Sequence, residues 1–269
     1  MTANRLRTML MYGYAALLLT FMLAPLLLIL PMALTSGNTL QFPTPGISFR
    51  WFVELIEDDR WPSALKVSLI VGIASTFIAL ALGIPAAMAL AWSEFPGKKF
   101  IWGIIAAPII MPVVVVGVAS YYFFSEIGLV GSRWSIIVVH AAMAIPVVVS
   151  TVAASLTTFD RTLLRASASL GAGTTRTFLS IMLPLISPGV ITGGIIAFII
   201  SFDEVVVASF LSVGADRTLP RMIFSGVRES ISPAIASVAL LLMLFSALLL
   251  ALIGFIQVRS QRLSKRKVA

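Results

Sequence analysis

Two adjacent carboxylates and one histidine are the groups in this sequence with the greatest scope for chemistry. Asp203 and Glu204 lie about fifteen residues into an apolar run that starts near residue 188, and His140 lies within another apolar run. Carboxylates bind cations and carry protons. Imidazole carries protons and ligates metal ions. In a helix rising 1.5 Å per residue, the carboxylates lie ~22 Å from the start of the run, where a charge is costly unless it faces a cavity or a partner. Both are therefore candidates for a pathway or a gate.

Two interpretations of this carboxylate pair stay open. Neighbouring residues of a helix point about 100° apart, so Asp203 and Glu204 cannot both face one direction. In the first interpretation one of them lines a path for a cation, whose desolvation a carboxylate offsets, and the other packs against a partner. In the second interpretation both are structural and pair with nearby arginines, namely Arg217, Arg221 or Arg228.

The remaining reactive residues point away from enzymatic chemistry. His140 has no Glu or His at helical spacing and is followed by two alanines, so we predict a hydrogen-bonded packing role and no metal site. The chain has no cysteine, which excludes disulfides, thiol catalysis and thiolate metal ligands. An intramembrane enzyme needs convergent groups, whereas Asp203, Glu204 and His140 are scattered over two apolar runs. We therefore expect no catalytic residue.

The composition indicates which kind of secondary structure positions these groups. Hydrophobic residues make up 59 % of the chain and charged residues 11 %, against about 25 % charged in soluble domains. Apolar runs of at least about 20 residues, enough to cross ~30 Å of hydrocarbon, occupy 10–34, 64–92, 100–124, 135–156, 188–212 and 233–257. The sequence therefore predicts an all-α, multi-pass membrane protein with six spans in a single domain, 1–269.

The distribution of basic residues predicts the orientation. Twelve of the 19 lysines and arginines flank the predicted spans on the side of both termini, and most acidic residues lie on the other side. Because Lys and Arg concentrate in cytoplasmic loops, both termini and the 157–187 loop are predicted to be cytoplasmic. The net charge of +8 is spread over loops and a basic tail that includes Lys267, which favours anionic lipid and argues against nucleic acid.

The predicted outer segment 35–63 is rich in Gly, Pro and aromatic residues. An aromatic belt at the membrane interface with a short helix on the surface explains this composition. A docking surface for an external partner explains it equally, and the two interpretations are compatible.

The 157–187 loop has the pattern of two short helices joined by a turn. Asp160 is a good N-cap for a helix over 161–170, and Gly171 lies where a left-handed residue would end that helix. A second helix is predicted over 175–183, and Pro184 separates it from the next apolar run. We expect this helix–turn–helix to lie at the membrane surface and to contact another protein.

The residues of this loop resemble the signature motif of the permease subunits of bacterial ATP-binding-cassette importers. That motif is written EAA, three residues, G, nine residues, I-x-LP, and its spacing from the glycine to the Leu-Pro pair is matched in full. The matching positions, which the resemblance implies to be ATPase contacts, are Arg165, Ala166, Ser167, Gly171, Ile181, Leu183 and Pro184. The sequence departs from the motif at Arg165, where the family usually has Glu, so the partner surface there is expected to differ in charge.

The resemblance extends to nearly the whole chain and is strongest over 146–245. The segments SFDEVVVASFL (Ser201–Leu211), TLPRMIF (Thr218–Phe224) and VRESISPAIASVALLL (Val227–Leu242) are similar to the spermidine/putrescine subgroup of these permeases. The resemblance implies the type I importer permease fold, with six transmembrane helices and a coupling-helix elbow between spans four and five. It also implies a bacterial inner-membrane location and a polyamine substrate.

The partners that the resemblance implies are a second, homologous permease, two ATPase subunits and a periplasmic or extracellular solute-binding protein. The chain has no G-x-x-x-x-G-K phosphate loop, so ATP and Mg are expected in the ATPases and no cofactor in this chain. An importer permease for an amino-acid-like compound, iron, thiamine or an oxyanion is the alternative. An ion-coupled secondary transporter is a more remote one, since no inverted repeat is visible.

Overall fold

The computed structural model describes residues 2–214, 216–229 and 232–266, and within them the regular structure is helical apart from one isolated bridge between Thr35 and Ile47. The helices are, in chain order, α1 (Thr2–Ala33), α2 (Arg50–Glu57), α3 (Arg60–Trp92), α4 (Lys98–Ile110), α5 (Val113–Glu126), α6 (Arg133–Leu156), α7 (Thr162–Ser169), α8 (Thr174–Thr177), α9 (Leu183–Asp203), α10 (Val206–Leu211), α11 (Leu219–Glu229) and α12 (Pro233–Arg266). A π-helical turn, Phe178–Met182, joins α8 to α9.

Five helices of the described chain are long and apolar enough to cross a membrane singly. They are Arg7–Ala33, Arg60–Trp92, Arg133–Leu156, Thr174–Asp203 and Pro233–Gln257. The pair α4 and α5 passes the same criteria together but is bent by 100°. The prediction of an all-helical, multi-pass membrane protein is confirmed. The number of spans is five, or six if the bent pair is one span.

The span predicted over 100–124 is a pair of helices bent by 100° and not one continuous helix. Helix α4 ends at Ile110, Met111 is extended with φ −71° and ψ 137°, and α5 begins after Pro112. Proline disfavours the helical conformation of the residue before it and has no N–H to donate, so the Met111–Pro112 pair interrupts the helix. By contrast, Pro108 lies inside α4 without ending it.

The predicted separation between the second loop helix and the following span is also wrong. Helical structure is continuous from Thr174 to Asp203, so the apolar helix begins well before residue 188. Pro184 lies in the first turn of α9, where its missing N–H is least costly. In the π-helical turn before it, the Leu183 N–H donates to the Phe178 carbonyl five residues back. This change of hydrogen-bond register accommodates the proline and lets the helix continue.

One compact unit comprises Ser63–Met222 and Ser246–Ala269. Its main core lies where α6 and α9 pack, with Val148 and Val152 of α6 fully buried beside Ile186 and Ala197 of α9. Hydrocarbon around a membrane protein is as apolar as its core, so close van der Waals packing must hold such helices together. These buried aliphatic side chains supply that packing.

Glycines permit the close approach of α6 and α9. A Cβ built on Gly189 would lie 2.1 Å from Ser155 Oγ, and one on Gly193 would lie 2.4 Å from Thr151 Oγ1. The two glycines are four residues apart and therefore share one face of α9. Small residues at this spacing let helix backbones approach closely in a membrane.

Glycines also permit the close packing of α3 on its neighbours. A Cβ on Gly72 of α3 would lie 2.8 Å from the Phe198 ring, and one on Gly83 would lie 2.6 Å from Val148. Helix α3 therefore packs on both α9 and α6 through positions that have no side chain.

The other compact unit comprises Met1–Pro62 and Ile223–Phe245. In it Ala33, at the end of α1, packs with Ala236 and Leu240 of α12, and the Ser237 hydroxyl donates to the Ala33 carbonyl at 2.8 Å. Helix α1 continues through two prolines inside its sequence and ends at Ala33. Lys267, predicted as part of the basic tail, lies outside the described residues. The single domain over 1–269 stays a prediction.

Candidate functional sites: the 157–187 loop and the break after α9

The first half of the 157–187 loop folds as a capped helix. The Asp160 Oδ1 accepts the Thr162 N–H at 2.9 Å at the start of α7. Hydrogen bonding from Thr162 holds the pKa of the exposed Asp160 carboxyl below its usual value, and the Arg165 charge acts in the same direction. The sequence prediction of a helix capped by Asp160 is therefore confirmed, with the helix one residue shorter at each end than predicted.

Gly171 ends this helix in the left-handed conformation that was predicted, with φ +77°. Its N–H donates to the Ala168 carbonyl at 2.9 Å, and the Ala172 N–H donates to the Ser167 carbonyl at 3.0 Å. This pair of bonds is the Schellman motif, which satisfies the last carbonyls of a helix. The turn direction after α7 therefore depends on a residue that tolerates positive φ.

Ser167 joins the two halves of the loop. Its hydroxyl donates to the Leu164 carbonyl and is 2.9 Å from the Thr177 Oγ1 of α8. Ser167 is 4 % exposed, whereas Arg165 and Ala166, the other two residues of the motif triplet, are exposed. Arg165 makes no ion pair in the described part of the chain. Arg165 and Ala166 are therefore on the exposed side of the loop, and Ser167 is used internally.

The remaining motif positions lie at the start of the long apolar helix. Ile181 is half-buried in the π-helical turn, and Leu183 and Pro184 form the first residues of α9. Neighbouring Met182 is 2 % exposed and belongs to the α6–α9 core. This end of the motif therefore anchors the loop in the packed core.

A second anchor holds the start of the loop. The Arg161 guanidinium lies 5.4 Å from the centre of the Trp92 ring at the end of α3, and the Trp92 and Phe159 rings are 5.7 Å apart. A cation over an aromatic face is attracted by about 0.5–1 kcal/mol at an exposed site. These contacts tie the loop to α3.

The two carboxylates near the end of α9 have different environments, which the sequence interpretation of a continuous helix did not foresee. Helix α9 ends at Asp203, and Glu204 is extended with φ −74° and ψ 117°. Asp203 is exposed and makes no hydrogen bond or ion pair within the described residues. The Glu204 side chain is only 8 % exposed. The predicted continuous span over 188–212 is therefore broken between these two residues.

The hydrogen bonds of the Glu204 side chain explain the break between α9 and α10. Its carboxylate accepts the N–H groups of Val206, Val207 and Ala208 at 3.1, 2.8 and 3.4 Å. In a continuous helix those three groups would donate to carbonyls four residues back. The Glu204 side chain takes their place as acceptor, so α10 starts anew with its first donors satisfied.

His140 reaches this break from α6, a proximity that sequence spacing did not reveal. Its Nδ1 is 2.9 Å from the Ser201 Oγ, and its Nε2 is 3.7 Å from the Glu204 Oε2. The prediction that His140 and Glu204 are scattered is therefore wrong, because the α6–α9 packing brings them together. A hydrogen-bonded packing role for His140 is confirmed by its full burial and its Ser201 contact.

Two of the three arginines proposed as partners of the carboxylates have contacts of their own. Arg221 Nη1 donates to both the carbonyl and the hydroxyl of Ser212 at 2.5 Å. The Arg228 guanidinium lies 4.8 Å from the centre of the Phe224 ring. Within its own compact unit, Glu204 bonds to backbone N–H groups and not to a guanidinium. Within the described residues of that unit no ion pair joins either carboxylate to Arg217 or Arg221, and pairing with Arg228 stays a prediction.

The predicted short helix in the 35–63 segment is α2, whose own residues Trp51 and Leu55 are buried. The Arg50 guanidinium donates to the Gly37 carbonyl at 2.7 Å and lies 4.4 Å from the centre of the Trp51 ring. An open cavity of about 530 Å³ adjoins this helix. Its lining residues are Asn38, Arg50, Trp51, Val53, Glu54 and Glu57.

Two curated relatives from Escherichia coli strain K12 match most of the chain. The putrescine transport system permease protein PotI is 32 % identical over 231 residues, which cover 83 % of this chain and 82 % of PotI. The spermidine/putrescine transport system permease protein PotC is 29 % identical over 236 residues, which cover 87 % of this chain and 88 % of PotC.

Solved structures support the fold. A crystal structure of a bacterial ABC transporter that imports the acidic polysaccharide alginate matches with a TM-score of 0.73 at 14 % identity, covering 94 % of this chain and 97 % of that one. A second alginate transporter structure, in complex with an alginate-bound periplasmic protein, matches with a TM-score of 0.69 at 17 % identity, covering 98 % of this chain and 96 % of that one.

Residues 79–269 match the family of binding-protein-dependent transport system inner membrane components. The chain belongs to this family, and it is therefore a permease subunit of an ABC importer. The fold resemblance to importer permeases that the sequence indicated is confirmed.

Proposed function

We propose that this chain forms half of the translocation pathway of an ATP-driven importer of small organic cations, with a polyamine as substrate. The single observation that carries the substrate class is Asp203, an exposed carboxylate without a partner in the described part of the chain, at the end of an apolar helix. The names of PotI and PotC, which are putrescine and spermidine/putrescine permeases, support the same class.

The physical argument rests on desolvation. A polyamine that leaves water loses the hydration of each ammonium group, which is costly in a medium of low dielectric constant. An opposite charge that is already fixed in the path offsets this cost. Because the Glu204 carboxylate accepts N–H groups of the α10 backbone, Asp203 is the carboxylate of the pair that is available to bind a substrate cation. Asp203 therefore lines the pathway, and Glu204 shapes the helix next to it.

The 157–187 loop is the coupling elbow in this proposal. Its exposed residues Arg165 and Ala166 contact the ATPase, Ser167 and Gly171 keep the elbow bent, and Ile181, Leu183 and Pro184 connect it to α9. Closure of the ATPases moves the elbow as a rigid body, and the movement passes along α9 toward Asp203. The acidic residue usual in the motif is replaced by Arg165, so the ATPase surface here carries a complementary acid.

The topology and partners follow from the same arrangement. Counting the bent pair α4–α5 as one span gives six spans, with both termini and the elbow in the cytoplasm. The assembly contains a second, homologous permease, two ATPase subunits and a solute-binding protein. ATP and Mg bind in the ATPases, and this chain is not catalytic. Both the kind of partner and the inner-membrane location accord with the family description.

Uptake by the reconstituted assembly tests the proposal. The complete complex in proteoliposomes, supplied with ATP and the binding protein, is expected to take up putrescine or spermidine. Asp203→Asn should lower this uptake at least tenfold while the complex still assembles. The matched control is Glu94→Gln, which removes an exposed carboxylate whose partner is Lys98 on the surface.

The outcomes separate the alternatives. Uptake of sulfate, molybdate, thiamine, iron or an amino acid without polyamine uptake would overturn the substrate class. Polyamine uptake that is unchanged in Asp203→Asn would remove Asp203 from the pathway. Transport by this chain alone, driven by an ion gradient, would instead favour a secondary transporter.

A further inference from the structure

A buried polar cluster spans the break between α9 and α10. It consists of His140 on α6, Ser201 in the last turn of α9 and Glu204 at the break itself. His140 is fully buried, Ser201 is 3 % exposed and the Glu204 side chain is 8 % exposed. Polar groups buried this deeply in a membrane helix bundle are costly unless they bond to one another. The arrangement of their protons therefore has structural consequences.

The Ser201 hydroxyl determines the role of the Nδ1 atom. Other buried serines of the chain donate to carbonyls, as Ser75 does to Ile137 at 3.0 Å and Ser212 does to Ala208 at 2.6 Å. For Ser201 the hydrogen-bond partner within the described residues is His140 Nδ1, at 2.9 Å. The hydroxyl proton is used in this hydrogen bond only in the tautomer whose Nδ1 is the acceptor and carries no proton, and we assign that tautomer to His140.

The opposite ring nitrogen then carries the proton. A neutral imidazole that accepts at Nδ1 has its N–H at Nε2. Nε2 makes no hydrogen bond to a protein atom of the described chain, and it faces the Glu204 Oε2 at 3.7 Å. An N–H directed at a carboxylate oxygen is attracted to it, whereas a nitrogen lone pair in the same place would be repelled.

We propose that His140 is the positioning residue of the break in the fifth apolar helix. Its Nδ1 holds the Ser201 hydroxyl on the α9 side, and its Nε2–H is directed at the Glu204 carboxylate on the α10 side. One ring from α6 thereby keeps the carboxylate in place to accept the N–H groups of Val206 and Val207. This inference goes beyond the proposed substrate and holds whichever solute the importer carries.

Nuclear magnetic resonance tests the proton arrangement directly. The chain has one histidine, so ¹⁵N-histidine labelling of the full-length protein in lipid nanodiscs, purified without a histidine tag, gives the ring signals of His140 alone. The expected spectrum has a protonated Nε2 and an unprotonated Nδ1. Glu204→Gln should shift the Nε2 signal, and Ser201→Ala should shift the Nδ1 signal. A protonated Nδ1, or an Nε2 signal that is unchanged in Glu204→Gln, would overturn the proposal.

Hydrogen exchange tests the consequence for the backbone. His140→Ala should speed the exchange of the amides of residues 206–208 roughly tenfold, because a carboxylate that is no longer held in place loosens its hydrogen bonds to Val206 and Val207, and a hydrogen bond to a charged group is worth about one to two factors of ten in equilibrium. His140→Gln, which retains an N–H donor, should restore most of the protection. The matched control is Ser75→Ala, which removes another buried bond to α6 and should leave residues 206–208 unchanged.

The resonance and hydrogen-exchange experiments together decide whether His140 positions the break. Equal exchange in the wild-type protein and in His140→Ala would overturn the positioning role, as would an equal increase in Ser75→Ala. If His140→Ala does not fold, His140→Gln and the wild-type ring signals still decide the proposal. The result of the polyamine uptake assay does not affect either experiment, so the proposed substrate and the proposed role of His140 can fail separately.

Discussion

Gly193 of α9 lies so close to Thr151 of α6 that a Cβ on the glycine would stand 2.4 Å from the Thr151 Oγ1. The contact is at the centre of the best-packed pair of helices in its compact unit. A side chain there would have to displace the Thr151 hydroxyl and would stand 3.4 Å from the Val148 Cα of α6. The close packing of α9 on α6 therefore depends on a residue that has no side chain.

Gly193→Ala is expected to destabilise the protein by about 1–3 kcal/mol, the usual cost of adding a group to a packed interface. Thermal unfolding in a mild detergent, followed by loss of monodisperse protein, measures the effect. The matched control is Gly103→Ala in α4, where an added Cβ meets nothing within 4 Å. Equal stability of the two variants would show that α6 and α9 can separate without cost.

Gly171→Val should abolish most ATP-driven uptake while the protein still inserts in the membrane. A residue other than glycine in the left-handed conformation costs roughly 1–2 kcal/mol, and a β-branched side chain is the worst case, so the turn after α7 should be lost. Gly173→Val is the control, because Gly173 has φ −68° and open space around its Cα. Uptake that survives in Gly171→Val would argue against the elbow as the coupling element.

Arg165→Glu should lower the amount of ATPase that copurifies with the permease by at least tenfold, if an acid on the ATPase faces this exposed arginine. Like charges brought together at an interface cost several kcal/mol, although an exposed pair contributes little attraction. Arg176→Glu is the control, since Arg176 is an exposed arginine of the same loop at a position that the motif leaves unspecified. Tighter ATPase binding by Arg165→Glu would instead indicate that the partner surface is basic.

The orientation can be measured by cysteine labelling without removing any native cysteine, since the chain has none. In spheroplasts a membrane-impermeant thiol reagent should label Asn38→Cys and should not label Thr174→Cys until the membrane is opened. Both positions are exposed in the structure, so access to the reagent depends on the side of the membrane. Labelling of Thr174→Cys in intact spheroplasts would place the loop outside.

Local signals in the sequence were sufficient for the first half of the loop. Asp160 and Gly171 predicted the first helix and its left-handed end. These features depend on residues close in the chain, whose preferences are set by capping and by the conformational freedom of glycine. The second loop helix was mispredicted as separate, because a π-helical turn before Pro184 has no simple signature in composition.

Local signals were not sufficient to predict the contacts of the polar groups in the apolar helices. Periodicity located Asp203 and Glu204 on one helix and His140 on another, but it assigned the two carboxylates equivalent chances of lining a path. The structure distinguishes them, since the Glu204 carboxylate bonds to the start of α10 and the Asp203 side chain is exposed. The contact of His140 with Ser201 joins residues 61 positions apart in the chain, a distance that no local pattern can bridge.

The sequence by itself determined that this is a multi-pass helical membrane protein, and its motif spacing indicated the family to which the chain belongs. Hydrophobic length, glycine turns and caps are local properties, so they can be read along the chain. Only the tertiary structure decided where the apolar helices break and which buried polar groups meet. At the break after Asp203 the Glu204 carboxylate accepts the first N–H groups of α10, and the α6–α9 packing places His140 beside that carboxylate. Packing between segments that are distant in the chain cannot be predicted from the spacing of residues within either segment.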